Sequence, residues 1–133
     1  MAKLALVTLL VDSYDAGISF FTEVLGFELT EDSPSLTNDG RPKRWVVVTP
    51  PGGQSGLLLA EADGPAQEEL VGKQMGGRVG FFYHVDNFAE VYERMTAAGV
   101  EFLEQPRDEE YGTVVVFKDV FGNKWDLLGS AKP

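Results

Sequence analysis

The sequence predicts an α+β fold: two tandem β-α-β-β-β modules forming a curled eight-stranded mixed sheet, with helices outside and a central groove. Three observations predict it. Short runs rich in Val, Leu and Phe outnumber helical segments, each half of the chain carries one amphipathic helix between a cap and a glycine stop, and the second half repeats the order of the first. The 133 residues are read as a single domain, with module one at 1–62, a linker at 63–77 and module two at 78–133.

Residues 4–11, LALVTLLV, are too short for a helix and apolar on both alternating faces, which predicts a buried strand. Ser13 offers an N-cap oxygen, Asp15 suits the positive helix start, and Tyr14, Ile18, Phe21 and Leu25 recur at helical spacing. A helix is therefore expected from Tyr14 to Leu25, stopped by Gly26. FELTED (27–32) reads as a strand, SPSLTNDGRPK (33–43) as a mobile loop, and RWVVVT (44–49) and GLLLAEA (56–62) as strands joined by the turn PPGGQS. Residues 63–77, broken by Gly and Pro, allow only a short helix. RVGFFYHV (78–85) then opens module two, followed by a helix with an Asn87–Glu90 capping box and a stop at Gly99. VEFLEQ (100–105), TVVVFK (113–118) and KWDLLG (124–129) complete its strands.

The repeat is visible in aligned punctuation. Leu6, Val11, Asp12 and Ser13 fall on Gly80, Val85, Asp86 and Asn87; the stop Gly26 falls on Gly99, and the turn residues Gly53-Gln54 on Gly122-Asn123. One helix can cover only one face of a four-stranded sheet. Two such sheets side by side would curl around a shared groove, where a small ligand would bind.

Composition narrows the function. Eleven Lys and Arg against 21 Asp and Glu give a formal charge of −10, which disfavours nucleic acid and anionic membrane as partners and leaves neutral or cationic small molecules. No cysteine and a single histidine, His84, remove thiol catalysis, Cys-based metal sites and multi-histidine centres. No run is long enough to span a bilayer, and the N-terminal apolar stretch, interrupted by Thr8 and ended by Asp12 without a cleavage site, reads as a strand. A cytoplasmic protein is expected. There is no phosphate-binding loop and no nucleophile elbow.

VDSYDAGISFFTEVLGFEL and FKDVFGNKWDLL, with paired modules over nearly the whole chain, resemble the vicinal oxygen chelate superfamily of glyoxalases, bleomycin-resistance proteins, extradiol dioxygenases and fosfomycin-resistance enzymes. The resemblance implies a homodimer. It also implies four positions, one on the first and one on the last strand of each module, that hold a divalent cation in metal-using members through His, Gln or Glu. Carried onto this chain they are Leu6, Leu57, Gly80 and Asp126. Three of the four offer no side-chain donor, so no metal cofactor is expected.

The candidate ligand-groove residues are Phe82, His84, Asp126, Arg44, Trp45 and Tyr111. Alternation puts Gly80, Phe82 and His84 on the groove face and Phe81 and Tyr83 on the helix side. His84 is either a groove-wall histidine bonded to a neighbour or part of a shifted metal site with Asp126 and a further carboxylate. Asp126 is either paired internally or free to meet a ligand, and burial without a partner would raise its pKa. Arg44, Arg78 and Arg107 are either surface ion-pair partners or clamps for a substrate carboxylate. Glu104–Tyr111 is either a solvated turn or a lid, and Tyr111 and Trp45 are either core or groove mouth. These residues support a metal-free protein that binds a small aromatic or cationic molecule. Against it stand a metal-dependent lyase, isomerase or dioxygenase with an altered ligand set, in which case a lactoylglutathione lyase-like enzyme, and an interaction module whose groove is plugged by Leu6, Leu57 and Phe82.

Overall fold

A computed structural model describes residues 1–130. The chain divides into two compact units, one ending at Val71 and the other beginning at Gly72.

The first unit runs β1 (Leu6–Val11), α1 (Tyr14–Ser19), a π turn (Phe20–Val24), β2 (Glu28–Leu36), β3 (Pro42–Thr49), β4 (Gly56–Glu61) and α2 (Pro65–Leu70). Its sheet has the order β1-β4-β3-β2, with β1 parallel to β4 and the other pairs antiparallel. Ser13 caps α1 by accepting a hydrogen bond from the Ala16 N–H at 3.2 Å. The single helix expected over Tyr14–Leu25 instead widens after Ser19, where the Leu25 N–H donates to the Phe20 carbonyl five residues back at 3.2 Å. Widening brings two consecutive aromatics inward: Phe20 and Phe21 are both buried, edge to face at 5.3 Å. They pack with Leu25 and Phe27 on the same side as Leu9, Val11, Val46, Val48 and Leu59, which are all fully buried.

The loop expected over 33–43 is mostly strand. β2 continues to Leu36 and β3 begins at Pro42, paired through Ser33↔Trp45 and Pro34↔Arg44. This extension is largely solvated on both faces, so it carries no apolar alternation. Backbone pairing and the Arg44–Asp32 ion pair at 2.7 Å hold it instead.

The second unit runs β5 (Val79–Val85), α3 (Phe88–Ala97), β6 (Glu101–Phe102), β7 (Arg107–Glu109), β8 (Gly112–Lys118) and β9 (Lys124–Ser130). Its order, β5-β9-β8-β6 with β5 parallel to β9, repeats that of the first unit. A further strand, β7, pairs with β8 inside the acidic segment read above as turn or lid. The helical segments of both units are followed by glycines at positive φ, Gly26 (78°) and Gly99 (81°), a conformation that costs other residues steric strain. Asn87 does not cap α3 through its side chain; its amide bonds the Glu90 carboxylate at 2.9 Å instead.

A chain of aromatic rings runs from α3 onto the sheet, where Phe117 and Trp125 join Val91, Met95, Val114, Val115 and Leu127 in the core of this unit. Phe88, Tyr92, Phe102, Phe117, Trp125 and Phe81 follow one another with centroid separations of 5.9, 4.7, 6.4, 5.9 and 4.5 Å. Asp119 fixes its edge. Only 5% exposed, its carboxylate accepts hydrogen bonds from Trp125 Nε1 (2.9 Å), the Phe121 N–H (2.9 Å), and the Asn123 N–H (3.0 Å) and side-chain amide (3.0 Å). Asp119→Ala would leave these donors without an acceptor beneath the β8–β9 turn, and is expected to lower the unfolding free energy by about 3 kcal/mol. Urea denaturation with no shift in midpoint would contradict the role given to this carboxylate.

Candidate functional site

In the second unit, the face of the sheet away from α3 gathers three of the sequence-predicted residues. Strand register places Phe82 beside Asp126 and Asp126 beside Val116 in one cross-strand row. The next row runs His84, Leu128, Val114 and Arg107 across β5, β9, β8 and β7. Phe82, 65% exposed, and His84 stand open on this face, while Phe81 and Trp125 turn toward the helix and stack on each other. The alternation expected from sequence thus holds from Phe81 to Val85, whereas a register shift at Gly80 sets Val79 beside Lys124 and Phe81 beside Trp125 and breaks it at the start of the strand.

Asp126 is the unusual group. Its Oδ1 atom is shielded from solvent and has no hydrogen-bond partner. Burial pushes its pKa above the ordinary carboxylate value of 3.8; nearby Arg107 pulls it down, and Glu104 pushes it up. Arg107 cannot neutralise Asp126 fully because it is engaged elsewhere, with Glu104 at 3.1 Å and Glu109 at 2.6 Å. Those hydrogen bonds, with a third to Tyr111, raise the Arg107 pKa, so the guanidinium stays charged. Tyr111, 62% exposed, lies between β7 and β8. Glu104 and Glu109 were legible only as members of an acidic run; β7 turns that run into a scaffold for Arg107.

Arg44 and Trp45 belong to the first unit. They are consecutive on β3 and so face opposite sides of the sheet. Arg44 pairs with Asp32 (2.7 Å) and Asp15 (2.9 Å) and lies over the Tyr14 ring at 5.2 Å, while Trp45 Nε1 donates to Glu31 at 2.9 Å. Both border a cavity of about 540 Å³ that Tyr14, Lys43, Glu61 and Asp63 also line.

The positions carried over for a metal do not form a donor set. Thr8↔Leu58 in the first unit matches Phe82↔Asp126 in the second, so Leu58 is the residue that shares the face of Leu6. Leu57, assigned that place from the turn spacing, is 8% exposed and points to the helix side. The turns before β4 and β9 differ by one residue in effective length, which reverses the face. Neither leucine has a donor. At Gly80 an added Cβ would run into the Met75 side chain, so this position is filled by a thioether from the preceding loop, which no sequence signal announced. Asp126 alone retains an oxygen ligand, and among the described residues no group of three or more His, Cys, Asp or Glu side chains is placed to hold a metal ion. His84, Asp126 and a further carboxylate therefore do not assemble the shifted metal site weighed from the sequence.

The family model of the Glyoxalase/Bleomycin resistance protein/Dioxygenase superfamily matches residues 3–127. The chain belongs to this superfamily. A protein of Shewanella frigidimarina (strain NCIMB 400) is 46% identical over 123 residues, covering 92% of this chain and 89% of the relative. Among solved structures, UcmS2 superposes with a TM-score of 0.79 at 31% identity, covering 98% of this chain and 99% of the other. TnmS3, an antibiotic binding protein from Streptomyces sp. CB03234, superposes at 0.77 and 24% identity, covering 98% of each chain, which speaks for the fold. The superfamily's own description spans glyoxalases, bleomycin resistance proteins and dioxygenases, so the fold alone does not fix the function.

Two measurements check this site. Addition of Zn²⁺, Ni²⁺ or Mn²⁺ is expected to leave the melting temperature unchanged, and elemental analysis showing one ion per chain would refute the reading of the donor set. Asp126 binds its proton more tightly folded than unfolded, so it subtracts stability as pH rises from 3.8 through its folded pKa. Asp126→Asn is therefore expected to be more stable than the parent at neutral pH, with the difference closing below pH 3.8. A constant difference across that range would contradict it.

Proposed function

We propose that this superfamily member is a metal-free binding protein for a small aromatic cation, held on the sheet face that carries Phe82, His84 and Asp126. The observation that carries the reading is Asp126: a carboxylate oxygen out of reach of water and lacking a protein donor, beside an exposed phenylalanine. A ligand ammonium or N–H meeting that oxygen would remove its desolvation cost. Phe82, and Tyr111 on the same unit, supply flat apolar area for stacking and cation–π contact. The formal charge of −10 draws a cation toward the chain. That a protein of this fold is an antibiotic binding protein supports sequestration as a use of the scaffold.

The reading extends to the whole chain as one glyoxalase-like domain, since the family match spans both units, working as a cytoplasmic homodimer as the family resemblance implies. Light scattering that finds only monomer would remove the dimer. A lyase or dioxygenase built on an altered metal set is the weaker reading, because a lone Asp126 does not meet the coordination such chemistry needs.

Titration with proflavine, a planar aromatic cation, and with the anionic dye 1-anilinonaphthalene-8-sulfonate tests the proposal. The cation is expected to bind, and Asp126→Asn and Phe82→Ala each to weaken it about tenfold. Preference for the anionic dye, or cation binding indifferent to both substitutions, would overturn it.

A further inference from the structure

A second cluster lies at the other end of the same unit's sheet. Lys118 and Lys124 stand directly opposite each other in the β8–β9 pair, an arrangement that repels. Lys124 is also in register with Val79 on β5, next to Arg78. Arg78, Lys118 and Lys124 all line a cavity of about 190 Å³ whose remaining wall includes Gly72, Gly77 and Gly122. Backbone forms much of that wall because the loop after Val71 packs tightly on the β8–β9 turn. Gly72 has a φ of 78°, and a Cβ there would collide with the Phe121 carbonyl oxygen.

Like charges gathered this way call for a counter-charge, and the chain supplies little. Eleven basic residues face 21 acidic ones overall, yet the ion pair at this cluster among the described residues is a long one, Lys118 to Glu101 at 3.7 Å, with Glu101 65% exposed. Asp119, the neighbouring carboxylate, is turned inward and occupied by Trp125, Asn123 and Phe121. Among the described residues, Arg78 and Lys124 form no ion pair.

We infer that Arg78, Lys118 and Lys124 form a binding site for a small oxyanion, a phosphate or carboxylate group. The cavity is smaller than the roughly 300 Å³ at which small-molecule pockets begin, so it suits one anionic group, with the rest of any larger ligand outside. Two or three convergent cations against exposed backbone give such a group charge-assisted hydrogen bonds, and Arg78 can present two parallel donors. A net charge of −10 opposes a polyanion, which limits the ligand to a small one. The site is independent of the aromatic-cation reading, since it uses neither Asp126 nor Phe82.

Calorimetric titration of the full chain with inorganic phosphate, and separately with acetate, at ionic strength held constant with chloride, tests the inference. Saturable binding of one anion is expected, weakened about tenfold in Arg78→Gln and in Lys124→Gln and unchanged in Lys3→Gln. Binding of phosphate identifies a phosphate-bearing ligand and binding of acetate a carboxylate-bearing one. Heats no larger than those of chloride, or affinity equal in all four proteins, would overturn the site.

Discussion

Each sheet in this protein has one helical segment to cover it and two faces to cover. That constraint shapes the rest. In the second unit α3 takes the face of Phe81, Phe117, Trp125 and Leu127, and its apolar side continues through the aromatic stack into a dry core. The other face of the same strands has no helix of its own unit to bury it, so its residues answer to a different demand. Phe82 and His84 are exposed there, and Asp126 is held among them at an energetic cost that core packing elsewhere offsets.

The same division explains where charge sits. Ion pairs such as Arg41–Asp63, Arg44–Asp32 and Arg107–Glu109 lie in loops and on the solvated strands β2, β3 and β7, where solvent screens them and they mainly fix local geometry. Asp119 is the opposite case: a buried carboxylate with its donors in place, tying a turn to a tryptophan. Asp126 is half-buried, with one shielded oxygen, Oδ1, that has no donor. Contrast between these two carboxylates, seven residues apart in sequence numbering, separates a structural role from a binding one more sharply than either residue does alone.

Membership of a superfamily whose description spans glyoxalases, bleomycin resistance proteins and dioxygenases does not transfer any one chemistry. The replacement at the expected coordination positions is physical rather than only chemical. Leucines stand at Leu6 and Leu58, and Met75 occupies the room that a side chain at position 80 would need. Restoring the ligands would therefore demand repacking of a loop as well as new imidazole or carboxylate groups.

The order of the main strands and helices, the repeat, the glycine stops and the inward or outward direction along β5 from Phe81 to Val85 were legible in the sequence, because each follows from local rules: period-two alternation, cap chemistry and positive φ. The solvated hairpin of β2 and β3, the short β7 and the switch from Leu57 to Leu58 were not legible. They arise from pairing between strands, where backbone hydrogen bonds bring together residues that carry no apolar pattern and where a one-residue difference in a turn reverses a face. The candidate sites divide in the same way. Alternation alone could set Phe82 and His84 side by side, but the unpartnered Asp126 oxygen and the meeting of Arg78 with Lys118 and Lys124 depend on distances across the sheet. Sequence order does not contain those distances.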